Sequence, residues 1–474
     1  MSDDTGAFDH LASALLAMHH FNERNPVVVS ELATDPVLQN CSSSFPIDRT
    51  SVTDTRGRVI FSAQAIYERI REGNDVCALV GSVCDGVALE LSSQASGLDV
   101  PLVLHASRDS RLTSPRFYPH TTRSCMNRFF EAEVIYRHLQ EIGRNNFVGM
   151  IYIIQEVGTQ IQETLATEFS DAAVSHFVSA QYSPPFVGTE PRSAYAAMKA
   201  VKDAGYRTIV LTVTTDEHLH HVANAAQALG TNNGDYYYVI TGLLTNEVLR
   251  VSANQSANIT KLLHGAAVLT DLDGFQHHAA MEQQQQQPDP FLTAWQQQGP
   301  DFVRQVQRFN PIRPGRPGYV NATDTYFQEN TPAHLSSFMY DAVMTVGIGH
   351  CRLQAKQQRQ QQQRRQRRQD RRRTLQQETN TPKGGGGGIK GQRPSTPKAN
   401  QQQQQQQNHR RAKKDFQSLI TNDLLVSMME AEFHGASGQV AYNEGFRPTN
   451  RIRGTITYGR YNFRTRDNGD GTRR

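Results

Sequence analysis

The stretch CALVGSVCDGVALELSSQASGLDVPLVLHAS, residues 77–107, decides the fold. It opens on Cys77, Ala78, Leu79 and Val80, an apolar run too short for a helix and closed by Gly81, which predicts a buried strand. Gly81, Ser82 and Asp85 then turn the chain into a helix carrying Val87, Leu91, Ala95 and Leu98. After Gly97 and Asp99 comes VPLVLH, a second buried strand ending at Ala106-Ser107-Arg108-Asp109. Strand, helix and strand with short links make a βαβ unit, and such units build parallel sheets. Ligands of those sheets bind beyond the carboxyl ends of the strands. Both polar turns, Gly81–Asp85 and His105–Asp109, fall there. They supply the candidate ligand-binding residues Ser82, Asp85, His105, Ser107 and Arg108.

Upstream, residues 6–24 place Phe8, Leu11, Leu15, Met18 and Phe21 at helical spacing, an amphipathic helix with no strand before it. Residues 45–54 read as a strand and are followed by a helix through Ala63, Ile66 and Ile70. Downstream the alternation restarts. Helices are predicted over 126–142, 159–169, 193–204 and 215–229, the last opened by the capping box Thr214-Thr215-Asp216-Glu217. Strands are predicted over 147–154, 177–182, 208–213 and 235–242. Two blocks of alternation, 45–123 and 126–242, predict two doubly wound α/β lobes with parallel sheets. Beyond 242 lie a strand-like run at 265–275, a glutamine tract around 283–298, and a helix over 335–350 with Phe338, Ala342 and Val346 on one face. A further helix is predicted over 415–431, then a turn and short strand in GASGQVAYNEGFR, and strand character at 452–463.

At 474 residues the chain can build two cores of ordinary size. Its net charge of +4 is unevenly spread. Lys356 to Lys414 holds 17 Lys and Arg against Asp370 and Glu378, which leaves +15 there and −11 on the rest of the chain. An acidic body is no general nucleic-acid binder. The basic run is Gln, Arg and Gly with no aromatic residues interleaved, so a disordered, solvated insertion over 354–414 is expected, with no specific nucleic acid as partner.

The five cysteines, Cys41, Cys77, Cys84, Cys125 and Cys351, show no zinc spacing, and Cys77 and Cys351 read as small buried apolar residues. His218, His220 and His221 open a helix with no third ligand in reach and read as a solvated helix start. The start of the chain lacks the features of a signal peptide, and no eighteen apolar residues run together. Sequons at Asn40, Asn254, Asn258 and Asn321 lean slightly towards secretion. No GxSxG, P-loop or HExxH occurs, so neither an enzyme nor a cofactor is expected.

Several motifs, in order along the chain, carry a resemblance. They are GAFDHLASALLAMHHFNER, VGSVCDGVALELSSQASGLDVPLVLHAS followed by RLTSPRFYPHTTRS, FMYDAVMTVGIG, and MMEAEFHGASGQVAYNEGFR. Together these resemble the receptor-family ligand-binding region, the type I periplasmic-binding-protein fold, and within it the ectodomains of class C G-protein-coupled receptors of the metabotropic GABA type. The resemblance covers roughly 6–350 and 415–463. It implies a clamshell with a multi-strand hinge that closes on a small-molecule ligand, amino-acid-like or another small polar molecule. Lobe one would comprise 1–123 and 242–420, lobe two 124–241 and 421–463, with 464–474 a polar tail. It also implies dimerisation through lobe one, an extracellular location, and a membrane bundle carried on a segment outside this chain. A solute carrier for a transporter, or an intracellular protein working through the basic tract, are the alternatives.

Three departures from the family pattern shape the expectation. The first strand of lobe one and a leader are missing, as in a truncated chain. Asp85 stands where the family has a Ser for the ligand carboxylate, and as a cap of its own helix it would repel that carboxylate. The acid that receives the ligand amine aligns near His334 and Leu335, whereas Ser107 matches a ligand-binding hydroxyl. Cys84 matches a bridged family cysteine whose usual partner position holds Arg56, and Cys41 is the expected substitute.

Overall fold

The computed structural model of the chain describes residues 6–47, 52, 64, 76–114, 116–125, 127–171, 176–183, 193–242, 256–269, 289–316, 319–378, 423–440 and 459–460. Helix α1 (Gly6–Glu23) forms from the predicted apolar stripe and buries Phe8, Leu11, Leu15 and Phe21. The deciding stretch folds as β1 (Leu79–Val80), α2 (Asp85–Gly97) and β2 (Leu102–Leu104). β3 (Thr121–Arg123) follows, and the three strands form a parallel sheet with Leu79 opposite Leu102 and Leu102 opposite Thr121. The chain then passes to the second lobe through residues 124–127. This crossing is pinned by Ser124 N–H to the Leu104 carbonyl (2.8 Å), Ser124 Oγ to the Phe338 carbonyl (2.9 Å) and Arg128 N–H to the Arg108 carbonyl (3.0 Å).

The second lobe runs α3 (Arg128–Glu141), β4 (Val148–Ile153), α4 (Glu156–Asp171), β5 (Phe177–Tyr182), α5 (Ala194–Asp203), β6 (Thr208–Val213), α6 (Asp216–Leu229), β7 (Tyr237–Gly242), α7 (Ala257–Leu263) and β8 (Ala267–Val268). Each strand falls within about two residues of its predicted span up to β7, because continuous apolar runs such as TIVLTV are fully buried on both faces. The sheet order is β11-β8-β7-β6-β4-β5, parallel except for β11 (Gly459–Arg460) at the edge. Strand order reverses between β4 and β6, which makes the carboxyl ends of those strands the switch point of this sheet.

After β8 the described chain belongs to lobe one again, through α8 (Pro290–Gln296), α9 (Pro300–Phe309), α10 (Ser336–Glu378), α11 (Asp423–Met429) and the hairpin of β9 (Phe433–Gly435) and β10 (Gly438–Val440). Its core gathers Phe8, Leu15, Phe21, Phe291, Trp295 and Tyr340 from α1, α8 and α10, with Phe327 from the short helix Tyr326–Glu329. Trp295 meets Phe327 edge-on at 4.8 Å. The hairpin is locked by Asp341, fully buried on α10, whose carboxylate accepts from the amides of Ala436 (2.7 Å) and Ser437 (3.0 Å) and from the Ser437 hydroxyl. A Cβ on Gly435 would lie 2.2 Å from that carboxylate, so the turn needs glycine.

Four expectations are corrected, and one segment for which no element is predicted proves structured. Residues 256–269 join the second lobe, where α7 packs into the apolar cluster of β6, β7 and α6, so the described chain does not return to lobe one at 242. Residues 423–440 pack into lobe one rather than lobe two, since Leu425, Met428, Phe433 and Val440 complete its cores. The end of the glutamine tract is a structured helix, α8, because Pro290 starts it and Phe291 and Trp295 bury on one side. The insertion expected to be disordered over 354–414 is helical up to Glu378, as the continuation of α10. Gln and Arg are good helix formers, and the buried part of α10 supplies the nucleus that makes propagation cheap. Finally, Cys41 bonds to Cys351, 310 residues away, while Cys84 is free. Both partners lie near the base of lobe one, where α10 passes the loop that follows the short helix Pro36–Gln39. Residues 42–47 and 52 carry no strand, and residues 48–51 and 53–54 of the 45–54 expectation, the 63–70 helix apart from Gln64, and residues 415–422 lie outside the described residues.

Replacing both Cys41 and Cys351 by Ser is expected to lower stability by about 2–4 kcal/mol, because the bridge closes a very long loop. Urea denaturation of the native and double-Ser chains measures the difference.

Candidate functional site

Asp85, the first residue of α2, is the centre of the site. The helix is capped by Cys84 with no side-chain cap bond, so Asp85 does not cap its own helix as expected. Its carboxylate reaches across instead to the turn after β2. One oxygen accepts from Ser107 Oγ at 2.7 Å and from the Arg108 amide at 3.0 Å. The other accepts from the Arg128 guanidinium on the first turn of α3. Burial alone would raise the Asp85 pKa, but Arg128, Ser107 and the Arg108 amide outweigh it and hold the carboxyl below the ordinary aspartate value of 3.8. The turn after β2 is thus a carboxylate-binding arrangement filled by a carboxylate of the chain itself.

Around this centre the candidates separate into two groups. Asp85, Ser107 and the Arg108 backbone are in direct contact, and Cys125 Sγ donates to the Ser107 carbonyl at 3.1 Å. Ser82 is spent locally, its hydroxyl bridging the amide and carbonyl of Cys84 at 3.2 Å each. His105 is buried on another side, with neither ring nitrogen hydrogen-bonded and its ring 5.0 Å edge-on from His10. Burial, aided by His10, pushes its pKa well below the ordinary value, so it is neutral. His10 in turn donates to the His334 carbonyl at 2.8 Å, which brings the segment aligned with the amine-receiving acid next to His105.

Four residues that the sequence reading did not single out complete the site. Arg123, at the end of β3, and Arg128 are fully buried. Arg123 donates one bond, 3.0 Å to the Asp109 carbonyl, and burial lowers its pKa against the pull of Asp109 and Asp85. The Nε and Nη1 groups of both guanidiniums have no acceptor among the described residues. Asp109, also fully buried, accepts from the Arg111 amide and guanidinium and from Gln160 Nε2 at 3.1 Å, while Gln160 Oε1 accepts from the Ser110 amide at 3.3 Å. Gln160 lies near the start of α4, just past β4, so the carboxyl-end sides of the two sheets touch here. Gln155 and Thr214, bonded to each other at 3.0 Å, stand at the second sheet's switch point. The strand-order rule marks those two positions, whereas nothing in sequence marks Arg123 and Arg128 as buried. The histidines of α6 are divided: His218 turns inward to Thr214 (2.8 Å), and His220 and His221 face Asp216 and Glu217 outside.

Two wound parallel α/β lobes, meeting at the carboxyl ends of their strands over buried polar turns, define a bilobed small-molecule-binding domain. The family model described as receptor family ligand binding region matches residues 12–451, and the chain belongs to that family. No curated protein matches the chain. Among the described residues, no helix is long and apolar enough to cross a membrane.

Asp85→Asn leaves Arg128 buried beside a neutral amide and is expected to cost about 3–5 kcal/mol at neutral pH. Because the folded pKa of Asp85 is depressed, its contribution is complete above the unfolded value and is lost as pH falls through the folded one. The gap between native and Asp85→Asn chains should therefore narrow below about pH 4. Urea denaturation at pH 7 and pH 3 checks both statements.

Proposed function

We propose that the chain is the extracellular ligand-binding region of a class C-like receptor of the metabotropic GABA type, acting by binding rather than catalysis. It signals by closure of its two lobes, dimerises through lobe one, and connects to a membrane bundle through sequence beyond this chain. The Cys41–Cys351 bond and the exposed sequons at Asn40 and Asn321 support an oxidising, secretory setting.

The Asp85 clamp carries the ligand reading. In this chain the Ser107 hydroxyl, the Arg108 amide and Arg128 already serve an internal carboxylate. A ligand carboxylate arriving there would meet spent donors and a like charge. The ligand is therefore a small polar molecule other than a standard α- or γ-amino acid, with an acceptor for the free N–H groups of Arg123 or Arg128.

Calorimetric titration of the chain with glutamate and with GABA is expected to give no binding at micromolar strength, and micromolar binding of either overturns the ligand reading. The receptor assignment is checked separately on the coding sequence that borders the chain. A leader on one side and seven apolar spans on the other are expected, and a carrier gene without those spans would replace the receptor with a solute-binding protein.

A further inference from the structure

The outer half of α10 has no part in the lobes. Its root is fixed: Cys351 is bonded to Cys41, Arg352 donates to the carbonyls of Glu430 and Glu432, and Lys356 pairs with Glu430. Beyond Lys356 every residue from 357 to 373 is exposed, a free helix of about 25 Å. Its arginines are not scattered. Arg364, Arg367, Arg368, Arg371 and Arg372 fall at i, i+3, i+4, i+7 and i+8, with Arg365 flanking them, so six guanidiniums share one face. Gln362, Gln363, Gln366 and Gln369, with Asp370, occupy the opposite face, which also carries Arg359 and Arg373. The i,i+4 like-charge contacts of the six arginines oppose the helix they stand on.

We propose that this arginine face is a docking site for a sulfated polysaccharide. Planar guanidiniums bind sulfate and phosphate oxygens through paired hydrogen bonds, which suits a polyanion and explains arginine in place of lysine. Two other polyanions fit less well. From 356 to 373 the helix has no apolar or aromatic side chain, so nothing enters a bilayer or stacks on bases. The disulfide at its root belongs to an oxidising compartment, away from nucleic acid and from the anionic cytoplasmic leaflet. A polyanion on this face also removes the like-charge repulsion, so binding and helix formation favour each other. This inference rests on the extracellular placement proposed above but not on the identity of the small ligand.

The test uses the full chain, the variant R364Q/R365Q/R367Q/R368Q/R371Q/R372Q, and the single variant Q366P, which keeps every charge but breaks the face. Residues 357–373 are exposed throughout, so both variants should fold, and circular dichroism with calorimetric unfolding verifies it. The native chain is expected to elute from immobilised heparin at higher salt than from a sulfopropyl exchanger. The six-Gln variant should lose that retention, with its log Kd–log salt slope for heparin reduced by about four to five. Q366P should elute at clearly lower salt than the native chain. Equal elution of native chain and six-Gln variant overturns the proposal, and so does unchanged elution of Q366P. Tighter binding at equal salt to a double-stranded DNA oligonucleotide, or to vesicles containing phosphatidylserine, also overturns it. Glutamate and GABA calorimetry reports on the lobes alone, so either reading can fail without the other.

Discussion

One carboxylate holds three separate pieces of this molecule together. Asp85 sits on the turn after β1, Ser107 and Arg108 on the turn after β2, and Arg128 on the first helix of the second lobe. Neither turn is long enough to have a core of its own, and residues 124–127 must leave lobe one at a defined angle. The Asp85–Arg128 pair, with Arg128 fully buried, sets that angle at an energetic cost if either partner is lost. A hydrogen-bonded internal carboxylate satisfies the buried donors of the turn at all times, where a ligand would satisfy them only when bound. The donors of the turn are thus occupied by a carboxylate of the chain itself.

The second lobe is legible because its central strands β4, β6 and β7 are largely buried on both faces and read as mostly apolar runs between amphipathic helices. Short strands were harder. β1 and β8 have two residues each, and at that length the partner strand rather than the segment's own sequence decides membership. This is why residues 256–269 and 423–440 were assigned to the wrong lobes: the apolar pattern marks a buried segment and not the core that buries it. α8 hid in a glutamine tract because two aromatic residues, Phe291 and Trp295, suffice to bury one face of a two-turn helix.

At the site, the turn positions were legible and the bonding was not. Ser107 and Asp85 were singled out as separate turn residues, yet they lie 22 apart in sequence and bond each other. Helix-cap rules treat Asp85 as serving its own helix, and a long-range cation and a second turn outcompeted that local role. Arg123 and Arg128 carry a side chain that is mostly exposed in folded proteins, so only tertiary placement marks them as interior. The helical outer part of α10 was missed for a different reason. Composition measures whether a segment can fold alone, and this one did not need to, since a folded helix was already in place ahead of it.

The contact between lobes sets what a ligand has to supply. Away from the crossing at 124–127, Gln160 makes two hydrogen bonds, to Asp109 and to the Ser110 amide. At about 0.5–1.5 kcal/mol each, these hold the lobes together with roughly 1–3 kcal/mol. That is below the ~5.5 kcal/mol of differential affinity needed to swing a population from one extreme to the other. On the ligand reading proposed above, a ligand that engaged Arg123 or Arg128 on one side and Gln155 or Thr214 on the other would make its differential contacts only when both sheets face it. On the receptor reading proposed above, control of closure would rest with the ligand.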